Sequence, residues 1–202
     1  MGDKYLLSLS TLQPRKNLVK LIEAFNKISL QLDNNSRIFS RGRRTRISQV
    51  HELKLLIAGK MGWLAGEIMQ TAENSPFKKN IIFTGFINNK EKRVLFENSL
   101  ASLSISPYEG FGIPALEALQ YGSIPIVANN SSLTEVVGQA GILVNPHDLN
   151  SIASGIETVL QFSAKKRAEY KKLGRDQIKK FSWGKSAQTI LETLEHIAKF
   201  DH

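Results

Sequence analysis

Short apolar runs alternate along this chain with stretches in which apolar residues recur every three or four positions. The runs fall at residues 4–9, 53–58, 80–84, 100–105, 124–128 and 141–144. Each is too short for a helix and apolar on both faces, the pattern of strands buried in a parallel sheet. Between the first two, Leu18, Leu21, Ile22, Phe25 and Ile28 keep helical spacing and predict an amphipathic helix over residues 17–31. Further helices are predicted over 64–72, 90–98 and 114–121, then over 149–160 and 164–180. Ser182 suits the N-cap of a last helix, with Ala187, Ile190, Leu191, Leu194 and Ile197 on the side expected to be buried. Strands alternating with helices imply an α/β fold: a doubly wound parallel sheet of about six strands, followed by carboxyl-terminal helices.

In such a sheet, ligands bind outside the carboxyl ends of the strands. The turns at 10–16, 59–62, 85–89 and 106–112 should therefore meet at one edge. The last of these holds the most chemistry. Pro114 suits the first position of the helix that follows, where its missing N–H costs nothing, and Gly122 suits the exit. Gly110 and Gly112 remove side chains just ahead of that helix, so an anionic or hydroxyl-rich ligand can approach its free N–H groups. Glu109 stands at the mouth of the turn, and Glu117 one helical turn beyond Pro114. Taken alone, the two carboxylates fit an ordinary helix start and a solvated helix residue. Arg15 and Lys16, taken alone, fit a solvated turn.

Composition sets outer bounds. The 202 residues suit one domain, 1–202, with a sizeable core. There is no cysteine, which removes disulfides and thiolate metal sites and favours a cytoplasmic location. No apolar run approaches the roughly 20 residues that span a bilayer. The formal charge of +9 predicts attraction to polyanions. Much of it lies in residues 33–50, polar and longer than most connections within a domain, which reads as a mobile basic insertion at the edge opposite the ligand. Its Arg37, Arg41, Arg43, Arg44 and Arg46 suggest an anionic surface such as the inner face of a membrane. No RNA-binding or helix-turn-helix motif supports specific nucleic-acid recognition. His51, His147, His196 and His202 are scattered, and Trp63 and Trp183 are expected to pack.

Taken together, the motifs form an ordered set: Pro14-Arg15-Lys16-Asn17, Leu55-Leu56-Ile57-Ala58-Gly59, Phe83-Thr84-Gly85, Glu109-Gly110-Phe111-Gly112-Ile113-Pro114-Ala115-Leu116-Glu117, Leu133-Thr134-Glu135-Val136-Val137-Gly138 and Ala140-Gly141. This set resembles the donor-binding half of retaining GT-B glycosyltransferases of family 4, and the likeness covers nearly the whole chain. The resemblance implies a nucleotide-sugar donor bound here and an acceptor held by an amino-terminal Rossmann-like domain, which is absent from this sequence. It gives catalytic roles to Glu109, Lys16 and Arg15, the cations holding the donor diphosphate and Glu109 binding sugar hydroxyls beside a cationic sugar carbon. The N–H groups of Phe111, Gly112 and Ile113 would bond further hydroxyls, with Gly110 keeping the turn open. Glu117 would accept from the ribose hydroxyls, Phe86 and Ile87 would face the base, and Ser10 would lie by the phosphates.

The same likeness favours GDP-mannose over UDP-sugars, a glycan or lipid acceptor as in polysaccharide assembly, and neither metal nor other cofactor. Two departures stand out. Ser10 occupies a position where many relatives carry glycine, so its hydroxyl either adds a contact or obstructs one, and the basic insertion is not typical of the family. The alternatives are a GT-B nucleotide-sugar epimerase and a non-catalytic module that binds a nucleotide sugar or a polyanion.

Overall fold

Six parallel strands form one sheet: β1 (Tyr5–Leu9), β2 (Lys54–Ala58), β3 (Ile81–Gly85), β4 (Ala101–Ser104), β5 (Pro125–Ala128) and β6 (Ile142–Val144). The computed structural model describes residues 4–38 and 53–198. The strand order is β3-β2-β1-β4-β5-β6, so the winding reverses between β1 and β4. There Leu6 lies opposite Ala101 and Leu7 opposite Ser102. Eight α-helices accompany the strands among the described residues: α1 (Leu18–Ile38), α2 (Gly66–Glu73), α3 (Asn89–Asn98), α4 (Ile113–Gln120), α5 (Leu133–Val137), α6 (Leu149–Leu160), α7 (Ala164–Ile178) and α8 (Trp183–Ala198).

Strand alternation sends successive side chains to opposite faces of the sheet. Leu6, Leu55, Ile57, Leu103 and Ile126 belong to a core shared with Leu21, Ile22 and Phe25 of α1 and Ile152 and Ile156 of α6. Leu7 and Ala58 meet Phe96 of α3 and Ala118 of α4 on the other face, and Val127 meets Val136 and Val137 of α5. Both faces are therefore covered, as the apolar runs predict. α7 is tied across the sheet edge by Arg167, whose guanidinium donates to Leu100 O at 3.0 Å and Val159 O at 2.6 Å.

Three expectations need correction. α1 continues past residue 31 to Ile38, so residues 33–38, Arg37 among them, belong to a helix and not to the insertion. The remainder of the insertion, with Arg41, Arg43, Arg44 and Arg46, lies outside the described residues. The side of α8 expected to be buried faces solvent: Ile190 is 61% exposed and Leu194 59%, because no described element packs on it. Helical periodicity marks which side of a helix can be buried, not what will cover it. Trp63 and Trp183 are likewise exposed, although the Trp63 indole N–H donates to Gln13 Oε1 at 2.9 Å.

The turns after β1, β2 and β3 are stitched together by backbone hydrogen bonds. Ser10 N–H donates to Ala58 O (2.9 Å), Leu12 N–H to Lys60 O (2.9 Å), Gly59 N–H to Gly85 O (2.9 Å) and Gly62 N–H to Leu12 O (3.0 Å). The first contact depends on Gly59, which has φ +148°, and whose Cβ, if it had one, would stand 2.0 Å from Ser10 O. Gly59→Ala is therefore expected to cost about 3 kcal/mol or more in urea unfolding followed by circular dichroism, through strain plus overpacking. Wild-type stability in this variant would show that the two turns do not meet.

Candidate active site

The segment after β1 is shaped before it reaches the site. Gln13 is extended, Pro14 opens a 3-10 turn over Pro14–Lys16, and Asn17 closes it with φ 60°, its N–H returning to Pro14 O. Asparagine tolerates this left-handed backbone better than most residues. Its side chain also ties the segment down, donating to Ile105 O at the end of β4 (3.2 Å) and to Pro146 O beyond β6 (2.8 Å). Lys16 is thereby presented across the β1–β4 junction.

On the far side of that junction, the turn after β4 is anchored in two directions. Ser106 Oγ lies 2.6 Å from Arg15 O and 2.9 Å from Tyr108 O, sharing its one proton between them. Residues following β5 hold the rest: Asn130 Nδ2 donates to Pro107 O (2.6 Å), Ser132 Oγ to Glu109 O (2.8 Å), and Glu109 N–H to Ser131 Oγ (3.1 Å). Gly112 is the N-cap of α4 with φ 94°, and a Cβ there would meet Leu133 Cδ2 at 2.5 Å. The Phe111 ring packs edge-on against Phe181, centroids 5.8 Å apart, and remains 45% exposed.

Lys16 and Glu109 form an ion pair, their side chains 14% and 16% exposed. Arg15 Nη1 stands 4.0 Å from the other carboxylate oxygen on a side chain that is 56% exposed and whose Nε donates to Gln13 Oε1 at 3.3 Å. A second pair joins Lys92 of α3 to Glu117 of α4. The cleft between these groups has two connected parts. Ser10, Lys16, Ser106, Glu109, Gly112 and Pro114 line the inner one. The outer one, of about 530 Å³, runs past Ser10 and Pro114 to Gly59, Lys60, Phe86, Ile87, Asn88 and Lys92. Lys60 Nζ stands 5.0 Å from the centroid of the Phe86 ring.

The structure thus brings Ser10, Lys16, Glu109 and Gly112 together at the inner cleft, with Arg15 at its rim and Ile87 in the outer part. Gly110, Phe111 and Ile113 lie on the same turn, and Glu117 is paired with Lys92, which lines the outer part. Sequence reasoning placed Asn17 in a motif and Lys60 in a turn at the ligand edge without giving either a role, and missed Asn130 to Ser132 and Lys92. One local signal was available: Asn88 with Glu91 three residues on is a capping box, which fixes the start of α3. Among the described residues, no three His, Asp or Glu side chains are grouped as a metal site needs, and no helix is long and apolar enough to cross a membrane.

A family model described as "Glycosyl transferases group 1" matches residues 1–177. The chain is similar to the O-antigen chain mannosyltransferase B of Escherichia coli, 30% identical over 188 residues that cover 92% of this chain and 44% of that protein. It is also similar to a GDP-mannose-dependent alpha-(1-6)-phosphatidylinositol dimannoside mannosyltransferase of Mycobacterium tuberculosis, 28% identical over 148 residues covering 73% of this chain and 37% of that protein. Among solved structures, the sucrose-phosphate synthase from Thermosynechococcus elongatus shares the fold with a TM-score of 0.77 and 21% identity, over 98% of this chain and 46% of that one. The chain thus spans less than half the length of these relatives.

Ser10 carries a buried Oγ with no hydrogen-bond partner. An unmet buried hydroxyl costs about 1–3 kcal/mol. Ser10→Ala is accordingly expected to stabilise the ligand-free protein by roughly 1 kcal/mol in chemical unfolding. A loss of stability would show that the hydroxyl is satisfied.

Proposed function

Since the chain belongs to the group 1 glycosyl transferases, we propose that its cleft is the donor half of a sugar-transfer site, moving a sugar with retention from a nucleotide diphosphate sugar to a glycan or lipid acceptor. The observation that carries this reading is the Lys16–Glu109 pair, a cation and a carboxylate delivered from opposite sides of the strand-order reversal to the inner end of one cleft. Such reversals are where open α/β sheets bind ligands. The mannosyltransferase relatives, one of them GDP-mannose-dependent by name, support GDP-mannose as the donor.

In this reading Lys16 exchanges Glu109 for the diphosphate, and Arg15 swings in from the rim to share the charge. As the bond from the sugar to the diphosphate oxygen breaks, negative charge grows on the leaving group, and preorganised cations stabilise it most at that point. No divalent ion is required for that step. Glu109, released from Lys16, accepts from sugar hydroxyls and faces the sugar carbon as it becomes cationic. The Phe111, Gly112 and Ile113 amides meet further hydroxyls at the start of α4, Glu117 takes the ribose, and the base lies along Ile87. The Ser10 hydroxyl, buried without a partner, gains an acceptor on the phosphates by turning outward. The acceptor oxygen bonds to the sugar carbon and its proton leaves with the diphosphate. Placing that oxygen falls to a second domain of the kind that the longer relatives have room for.

The carboxylates separate the parts of this reading by titration calorimetry. Lys16→Ala should weaken GDP binding by about 1.5 to 3 kcal/mol, the range for hydrogen bonds to charged groups. Glu109→Gln should leave GDP affinity intact and weaken only GDP-mannose. Glu117→Gln should weaken both. Equal loss of GDP affinity in the two glutamate variants would contradict this division, and no loss with Lys16→Ala would remove Lys16 from the site.

Activity gives an independent measure. Positioning of two reactants can lower a barrier by about 7 to 11 kcal/mol. Residues 1–202 alone should therefore bind the donor, hydrolyse it slowly at most and transfer no sugar, whereas supplying an acceptor-binding half should yield product with retained configuration, read by NMR. Efficient transfer by the 202 residues alone would overturn the need for a second domain.

A further inference from the structure

Glu117 is paired with a residue that lines the outer cleft. Its Oε1 accepts a hydrogen bond from Lys92 Nζ, and its Oε2 has no partner among the described residues. The two side chains are 21% and 19% exposed, so the pair is partly shielded from water. Lys92 itself lines the outer cleft together with Ser10 and Phe86. Its position is fixed by the helix start it belongs to. Asn88 Oδ1 accepts from Lys90 N–H (2.9 Å) and Glu91 N–H (3.0 Å), and Asn88 N–H donates back to Glu91 Oε2 at 2.7 Å. Lys92 follows directly on that capped turn.

We propose that Lys92 is a positioning residue that holds Glu117 so that the site selects ribonucleotides over 2′-deoxyribonucleotides. The inference rests on the donor-site reading, in which Glu117 takes the ribose. A carboxylate with both oxygens free rotates about its last torsion and meets a vicinal diol in many poses. With Oε1 clamped by a shielded ammonium, Oε2 has one direction, and a ribose lying over it meets an acceptor already aimed. Preorganisation of this kind raises affinity by removing the cost of ordering at binding. It also makes each hydroxyl count, because a 2′-deoxyribose takes away one of the two donors that the diol offers to the aimed carboxylate oxygen in a half-shielded site. The ammonium further offsets the repulsion between Glu117 and the donor phosphates.

The test compares GDP and UDP with their 2′-deoxy counterparts by calorimetry on the 202-residue chain, wild type and Lys92→Met. The wild type should prefer the ribonucleotide by about tenfold, the value of one hydrogen bond to a charged group. Lys92→Met should cut that preference at least threefold, Lys92→Arg should keep it, and Lys92→Met placed on Glu117→Gln should change it no further, the result required if Lys92 acts through Glu117. Lys92→Gln serves the same comparison if the methionine variant does not fold. Equal weakening of ribo and deoxy forms would show Lys92 to be a general cation for the phosphates and would overturn the positioning role. An unchanged preference would overturn it as well. A wild type that binds neither GDP nor UDP would instead overturn the donor-site reading itself.

Discussion

The adjacency of β1 and β4 is the constraint on which the site depends. These strands are far apart in sequence, and they become neighbours only because the winding reverses between them. Once they pair, the segments that leave their carboxyl ends have nowhere to diverge to except a shared cleft. Asn17 secures the arrangement with a single amide, holding one segment to the end of β4 and to the loop beyond β6. Neither Lys16 nor Glu109 would be of use to a ligand without that joint. Positions that hydrogen-bond across such a junction carry the geometry of a site even when they never touch what it binds.

Electrostatics in the cleft follow from the same geometry. Each of the two carboxylates has a lysine from a different element: Glu109 has Lys16, and Glu117 has Lys92. Partly buried charges are costly unless paired, and removing one member leaves the other uncompensated. Neither carboxylate is thus left bare, and Arg15 and Lys60 leave the cleft with an excess of positive charge. In the proposed site, a ligand that brings its own negative charge takes Lys16 over, which frees Glu109 for polar groups farther along the same molecule. Binding by exchange of partners avoids leaving a bare charge in a half-shielded place at any step.

Much of this was legible in the sequence, and the reasons differ by feature. All six strands were visible because buried parallel strands are short, apolar on both faces and bounded by polar turns. The turns that meet at the cleft followed from the strand pattern and the rule about carboxyl ends, and backbone bonds such as Ser10 N–H to Ala58 O show them stitched together. What stayed hidden depends on contacts between distant residues. Nothing local distinguishes Lys92 from Lys90, the other lysine of α3, or tells that Asn130, Ser131 and Ser132 hold the turn containing Glu109. α1 outran its predicted end because the apolar spacing stops before the helix does. The side of α8 was identified correctly as apolar and its burial wrongly, since burial is a property of the neighbour.

That last helix has its own place in the energetics of the chain. Residues 182–198 are exposed along their whole length, and α8 has 16 residues, close to the length at which an isolated helix is only marginally stable in water. Its backbone hydrogen bonds therefore open and close independently of the sheet, at a free energy far below that of global unfolding. In hydrogen–deuterium exchange the two parts of this chain should belong to different regimes: the amides of β1, β4 and β5 are expected to exchange only when the whole domain opens, and those of α8 through local fraying. A single unfolding free energy describes the sheet and the helices packed on it, and says almost nothing about the last helix.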